Sequence, residues 1–351
     1  MAFLSIPNIA IRGIAACVPS KIEENLDLPL FKEGEAQRVI ASTGIERKRV
    51  VEIGTTTSDL CIKAAEQLLL ELKWDRSEID CLIFVSSSRD YITPPTSCVI
   101  QGRLKLKEDC YTLDIPCGCP GWLFGLSVLS SLLNMGSMKK GLLLVGDTST
   151  TMTSPKDKGT RPLFGDAGTA TALEFDLKSE VMQFQFAADG SNFDAIITRE
   201  GGSRNPFTID SLEEIEYGEG IIRRPIDCEI KGMDVFAFSI SKAPISVRQL
   251  IEYFDINVEN VDYLFLHQAN KYMLEKIRKK LKFPLEKVPY CLKDFGNTSC
   301  ASIPLTMVSQ CRIELQGTRK NNIASAFGVG LSWGSLHFIT DHIVCSELLE
   351  Y

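Results

Sequence analysis

Nothing in this 351-residue chain reads as a membrane segment, because no apolar run approaches the roughly 20 residues needed to span a bilayer. A basic stripe interleaved with aromatics is missing too, and the net charge is −7, so there is no electrostatic reason to expect a nucleic-acid partner. The opening residues, MAFLSIPNIAIRG, lack a charged segment followed by an apolar one, so no secretion signal is expected. Histidine is scarce, with three copies, and Cys117-x-Cys119 is too tight for a zinc knuckle and has no second pair; neither metal nor cofactor is expected. The twelve cysteines are scattered singly through apolar segments, not spaced as a disulfide scaffold. That usage fits a reducing compartment, and a cytoplasmic location is the expectation. What is present, 44% apolar and 24% charged residues, suits a globular protein of one large or two ordinary domains.

The most informative stretch is Asp114–Trp122, DIPCGCPGW. Cys110–Ile115 reads as a short strand and Leu123–Met135 as a helix, so Cys119-Pro120-Gly121 sits where strand turns into helix. Pro120 suits the first helical position, which needs no N–H partner. Cys119 then lies at a helix N-terminus, where free N–H groups and the macrodipole favour a thiolate. The competing reading is a structural cysteine in a helix-packing seam.

Around this turn the chain alternates. Asn8–Val18 is an expected strand, Thr57–Leu72 an amphipathic helix, Ile79–Ser86 a strand buried on both faces and Ser97–Leu104 a helix. Lys140–Gly146 and Gly165–Phe175 are further strands. The order then restarts with strand Glu180–Ala188, a polar excursion over Asn192–Arg224, helix Val235–Phe254, strand Val261–Leu266 and helices Lys271–Leu281 and Cys300–Leu315. Strands Asn322–Phe327 and Ser332–Thr340 close it. Two α/β halves, 1–176 and 177–351, are expected in one unit.

Three further features gather at element junctions. His267 follows a buried strand directly, in His267-Gln268-Ala269-Asn270, on the side where open α/β sheets bind ligands. Asn297 lies in Gly296-Asn297-Thr298-Ser299, which also reads as ordinary turn chemistry. Phe327-Gly328-Val329-Gly330 lets a backbone approach a ligand closely. His337 and His342 read as structural or surface residues.

With these motifs the chain resembles the β-ketoacyl-acyl carrier protein synthase III family of thiolase-like condensing enzymes. The marks are TGIERKR (Thr43–Arg49), CPGW, LFGDAGTA (Leu163–Ala170), HQAN, GNTS and AFGVGLSWGS (Ala326–Ser335). The resemblance implies a thiolase-like α/β fold of two pseudo-symmetric αβα halves, stacked as five αβαβα layers. It implies a homodimer pairing the strand Cys110–Ile115 across its two-fold axis. It implies Cys119 as the nucleophile toward an acyl thioester, the N–H groups of Cys119 and Val329 as oxyanion hole, and His267 and Asn297 as donors to the enolate left by malonyl decarboxylation. Leu163, Gly232, Phe236, Ala269 and Asn270 fall on the pantetheine tunnel, and the partners implied are an acyl carrier protein and an acyl-coenzyme A or acyl-carrier thioester.

Other positions depart from the family pattern. The Trp that stacks on the coenzyme A adenine in housekeeping members is Arg38, the nearby phosphate-binding Arg is Ser42, and the Arg before FGD is Lys158. Arg38, Lys158, Lys279 and Lys280 remain as candidate phosphate or carrier contacts, with a solvated basic surface as the plainer reading. Two carrier-facing basic positions are Ala237 and Tyr272. The bulky acyl-pocket aromatic supplied by the partner subunit of acetyl-specific members corresponds to Thr93, so a primer larger than acetyl is expected. Ser87 stands where hydroxymethylglutaryl-forming relatives carry Glu, and no second cysteine lies near Val329 as in thiolases. An acyltransferase of the same fold, with His267 as base toward an alcohol or amine acceptor, is the alternative.

Overall fold

The computed structural model describes residues 2–351. The first half runs β1 (Ala2–Ile6), β2 (Ile9–Val18), α1 (Glu35–Thr43), α2 (Thr57–Leu72), β3 (Cys81–Val85), α3 (Thr96–Arg103), β4 (Tyr111–Ile115), α4 (Gly121–Asn134), β5 (Lys140–Thr148) and β6 (Asp166–Phe175). The second runs β7 (Met182–Ala188), α5 (Gly232–Phe254), β8 (Tyr263–Leu266), α6 (Lys271–Leu281), α7 (Ser302–Gly317), β9 (Lys320–Gly328) and β10 (Ser332–Thr340), and ends in β11 (Val344–Cys345) and β12 (Leu349–Glu350).

One sheet has the order β11-β2-β6-β5-β3-β4, with β12 also on β2; the other has the order β1-β7-β10-β9-β8. The two-face-buried runs are β3 and β5, which pair in parallel, as β8 and β9 do. Between the sheets lie α4 and α7, whose Trp122, Leu126, Leu129, Leu305 and Met307 join side chains from both sheets in one core. The helices α2 and α3 cover the outer face of the first sheet, and α5 and α6 that of the second. This is a five-layer αβαβα stack of thiolase-like form.

The expected boundary at 176/177 falls between β6 and β7, which belong to different sheets. The chain ends, however, cross over. Strand β1 pairs antiparallel with β7 in the second sheet, while β11 and β12 run parallel to β2 in the first. No periodicity marks these short segments, which take their conformation from the edges they complete. Each half is thereby stitched to the other.

Strand β4 is an edge, bonded to β3 on one side alone within the chain. Among the described residues, no helix is long and apolar enough to cross a membrane.

Candidate active site

Both central helices start at one cavity. Pro120, expected inside α4, is instead its cap (φ −81°, ψ 5°), and the helix proper begins at Gly121. The turn is tight, with the Gly121 N–H donating to the Gly118 carbonyl at 2.7 Å. Opposite it, α7 is entered through Ser299–Ala301, one 3-10 turn, after Gly296-Asn297-Thr298. A backbone bridge holds Asn297 against the first half: its N–H donates to Leu163 O at 2.8 Å and its carbonyl accepts Gly165 N–H at 3.1 Å. Glycine is required here, since a Cβ on Gly165 would stand 2.1 Å from the Phe295 carbonyl oxygen and Gly296 has φ +64°.

The strand β8 delivers His267, whose N–H donates to Ser325 O on β9 at 2.9 Å. His267 is 1% exposed, its Nδ1 lies 2.8 Å from Ser302 Oγ, and the Phe327 ring meets it edge-on at 5.5 Å. The Asn297 Oδ1 accepts the Ser299 N–H at 2.9 Å, which turns the amide NH2 toward the cavity as a donor. After β9 the chain passes within van der Waals reach of the nucleophile candidate: a Cβ on Gly328 would lie 2.7 Å from Cys119 Cβ and 2.9 Å from its Sγ. The N–H groups of Cys119 and Val329 donate to no backbone carbonyl among the described residues.

Burial dominates the electrostatics. It pushes the Cys119 thiol up to about 12, with Ser299 Oγ 4.0 Å away pulling weakly down and the Asp147 charge adding to the rise. Burial thus works against the lowering expected from the helix N-terminus. Burial likewise holds the His267 imidazole down to about 3, with the Ser299 backbone opposing it, so the ring is neutral at pH 7.

Cys119, His267 and Asn297 line one cavity of about 710 Å³, together with Leu163, Gly232, Phe236, Ala269, Asn270 and Val329. Its wall also includes Ser87, noted from sequence for the Glu it lacks, and Met152, Thr153, Thr198, Cys228 and Ile230, none of which was singled out from sequence. Two other groups escaped sequence reasoning. Asp147 is fully buried and accepts from Ser86 Oγ (2.9 Å), Ser87 N (2.7 Å), Ser88 N (3.1 Å) and Cys300 Sγ (3.3 Å), joining the halves behind Cys119. Its signal was available: a lone acid at the carboxyl end of an apolar strand. Ser302 could have been noticed as the polar residue that opens the helix, ahead of the apolar Ile303-Pro304-Leu305.

The remaining candidates lie elsewhere. Lys158 does not stand free for a phosphate, because its Nζ pairs with Glu35 at 2.7 Å and its stem packs under Gly220. Lys280 turns its Nζ to the Ile240 carbonyl at 2.8 Å, while Lys279 is exposed and 3.8 Å from Glu275. Arg38 is exposed on α1. Thr93 sits on an exposed loop outside the cavity of its own chain.

A buried Cys at one central helix, an oriented Asn amide at the other and a buried, neutral His delivered by β8 between them, within five αβαβα layers, define the thiolase-like condensing class. The sequence matches 3-Oxoacyl-[acyl-carrier-protein (ACP)] synthase III over residues 113–190 and its C-terminal region over 251–339. It is 31% identical over 329 residues to beta-ketoacyl-[acyl-carrier-protein] synthase III of Streptococcus agalactiae, covering 93% of this chain and 97% of that one. A putative 3-oxoacyl-[acyl-carrier-protein] synthase 3 of Campylobacter jejuni is 30% identical over 97% of this chain and 96% of its own. Among solved structures, a 3-oxoacyl-(acyl-carrier protein) synthase of Burkholderia xenovorans superimposes with a TM-score of 0.94 at 34% identity, covering 100% of this chain and 99% of that one. The chain belongs to the β-ketoacyl-acyl carrier protein synthase III family.

Proposed function

We propose that the protein joins a cysteine-bound acyl primer to malonyl-acyl carrier protein by decarboxylative Claisen condensation, starting a fatty acid or polyketide-like chain. The observation that carries this reading is the convergence of Cys119, His267 and Asn297 on one largely apolar cavity. Cys119 Sγ attacks the thioester carbonyl of the primer; the carrier thiol leaves with the proton, and the acyl group stays on sulfur. The N–H groups of Cys119 and Val329 receive the developing oxyanion, a type of donor worth about a hundred- to a thousandfold in rate each. Malonyl thioester then enters along Leu163, Gly232, Phe236, Ala269 and Asn270. Loss of carbon dioxide leaves an enolate whose oxygen takes hydrogen bonds from His267 and the Asn297 amide. The enolate carbon attacks the acyl-Cys119 carbonyl, and sulfur departs.

An imidazole held at about 3 by burial is a weak base at neutral pH, which favours this role over deprotonating an alcohol or amine acceptor. The open edge of β4 suits pairing with a second copy into a homodimer, in which the partner's exposed Thr93 loop would close the acyl pocket. A small side chain there favours primers longer than acetyl. The Lys158–Glu35 pair and Arg38 in place of an aromatic weaken an adenine site, which favours a carrier protein as primer donor. Arg38 and Lys279 are the exposed cations left to meet its acidic surface. Twelve free cysteines fit a reducing cytoplasm.

Intact-protein mass spectrometry tests the reading. The protein is incubated with acyl-coenzyme A and acyl-carrier thioesters of increasing length, then with malonyl-carrier. A mass gain on Cys119, discharged only with malonyl-carrier and carbon dioxide release, is expected. Discharge by hydroxyl or amine acceptors without malonyl would replace the reading with acyl transfer.

A further inference from the structure

The chemistry proposed for His267 needs a proton on the ring nitrogen that faces the cavity, and nothing in the ring itself chooses which nitrogen carries it. We infer that Ser302 is a positioning residue that fixes His267 as the Nε2–H tautomer. The inference deepens the condensing reading above and rests on it for its kinetic consequence, but not for the tautomer.

The argument is an account of one hydroxyl. Ser302 is 1% exposed and opens α7. Its Oγ has two partners among the described residues: the Gln268 backbone N–H at 3.3 Å and His267 Nδ1 at 2.8 Å. The first of these can only donate, so it uses a lone pair of Oγ and offers no place for the hydroxyl proton. Among the described residues no carbonyl lies within hydrogen-bond reach of Oγ, Ser299 O one turn back included. If Nδ1 carried the ring proton, Oγ would accept from both neighbours and its own proton would be buried without an acceptor, the arrangement that folded proteins avoid. With the hydroxyl donating to Nδ1, every group is satisfied, and the ring proton is on Nε2.

The surroundings preserve that choice. Gln268 cannot turn away to release Ser302, since its side chain is itself engaged at both ends: Nε2 donates to Leu266 O at 2.7 Å and Oε1 accepts Cys291 N–H at 3.1 Å. Thr306 Oγ1 donates to the Ser302 carbonyl at 2.7 Å, which holds the first turn of α7 in place. Phe327 packs edge-on against the imidazole. One loop therefore aims both donors: Ser299 N–H orients the Asn297 amide, and Ser302 O–H, three residues on, orients the imidazole. The α7 entry is an alignment device for the malonyl step.

The test uses the full-length protein labelled with 15N-histidine, in which three imidazoles are observed and His267→Gln identifies the resonance of interest. Two-bond 1H–15N correlation at pH 7 is expected to show His267 with Nε2 protonated and Nδ1 as acceptor. Ser302→Ala should shift the ring toward a tautomer mixture and slow malonyl decarboxylation about tenfold more than it slows primer acylation, the loss expected from one buried hydrogen bond. Ser302→Thr, which restores a hydroxyl, should return both readouts. A wild-type ring protonated on Nδ1 would overturn the inference, as would Ser302→Ala with an unchanged tautomer. If wild type shows the Nε2–H tautomer yet consumes no malonyl-carrier, the condensing reading fails while the role of Ser302 stands.

Discussion

The entries to α4 and α7 are two versions of one device, a tight turn feeding the N-terminus of a helix sandwiched between sheets. At α4 the turn presents an atom, Cys119 Sγ, and at α7 it presents directions: the amide of Asn297 and, through Ser302, the ring of His267. The α4 turn is held mainly by backbone, with Gly118 and Gly121 bonded to each other and Gly328 pressed against Cys119. The α7 turn is held by side chains and by a bridge to the opposite half. A nucleophile needs close approach, which backbone and glycine supply. Side-chain hydrogen-bond donors need orientation, which their own hydrogen-bonded partners supply.

The comparison breaks first at Cys119. Cys119→Ala should abolish the acyl-enzyme seen by mass spectrometry; if acylation survives, Cys117 becomes the nucleophile and the α4 turn loses its assigned role. The α7 side should fail differently. His267→Ala and Asn297→Ala should each slow malonyl decarboxylation by about a hundred- to a thousandfold while the primer still loads, as measured by carbon dioxide release against mass gain. Next comes close approach. Gly328→Ala places a methyl 2.7 Å from Cys119 Cβ and should cost about 1–3 kcal/mol in denaturant unfolding along with acylation rate. Gly102→Ala, which meets no atom within 4 Å, is the control and should be neutral or slightly stabilising.

The two turns also separate by pH. With the Cys119 thiol pushed to about 12, its alkylation by iodoacetamide should rise steadily from pH 7 to about pH 10; a plateau near neutrality would show a thiolate and undo the burial argument. His267 acts on stability. Its folded value of about 3 lies below the unfolded 6.5, so between these the unfolded chain binds the extra proton. Its contribution is complete above pH 6.5 and is lost as the pH falls toward 3, so the melting temperature should drop over that window, less steeply in His267→Gln. The smallest effect is expected at the mouth. Lys158→Ala should change the primer KM by no more than about twofold, because its charge is already answered by Glu35 at a partly solvated site.

Much of the scaffold was legible in the residues. The helix Thr57–Leu72 and the strand Ser332–Thr340 have the limits that periodicity implied. The long apolar runs became paired central strands. The entry to α7 was read through its Gly-Asn turn, but Ser302 looked like any helix-opening serine, since its partner lies 35 residues away. Lys158 looked like a free cation because Glu35 is 123 residues distant.

By itself, then, the sequence determined the alternation of strands and helices and the junctions where Cys119, His267 and Asn297 stand, because hydrophobic period and turn chemistry are local properties. The tertiary structure decided that the chain ends exchange sheets, that Cys119 is buried away from water, that Lys158 is neutralised and that Ser302 meets His267. Those four depend on burial and on contacts between distant segments, and desolvation has no meaning until the chain has closed around a group.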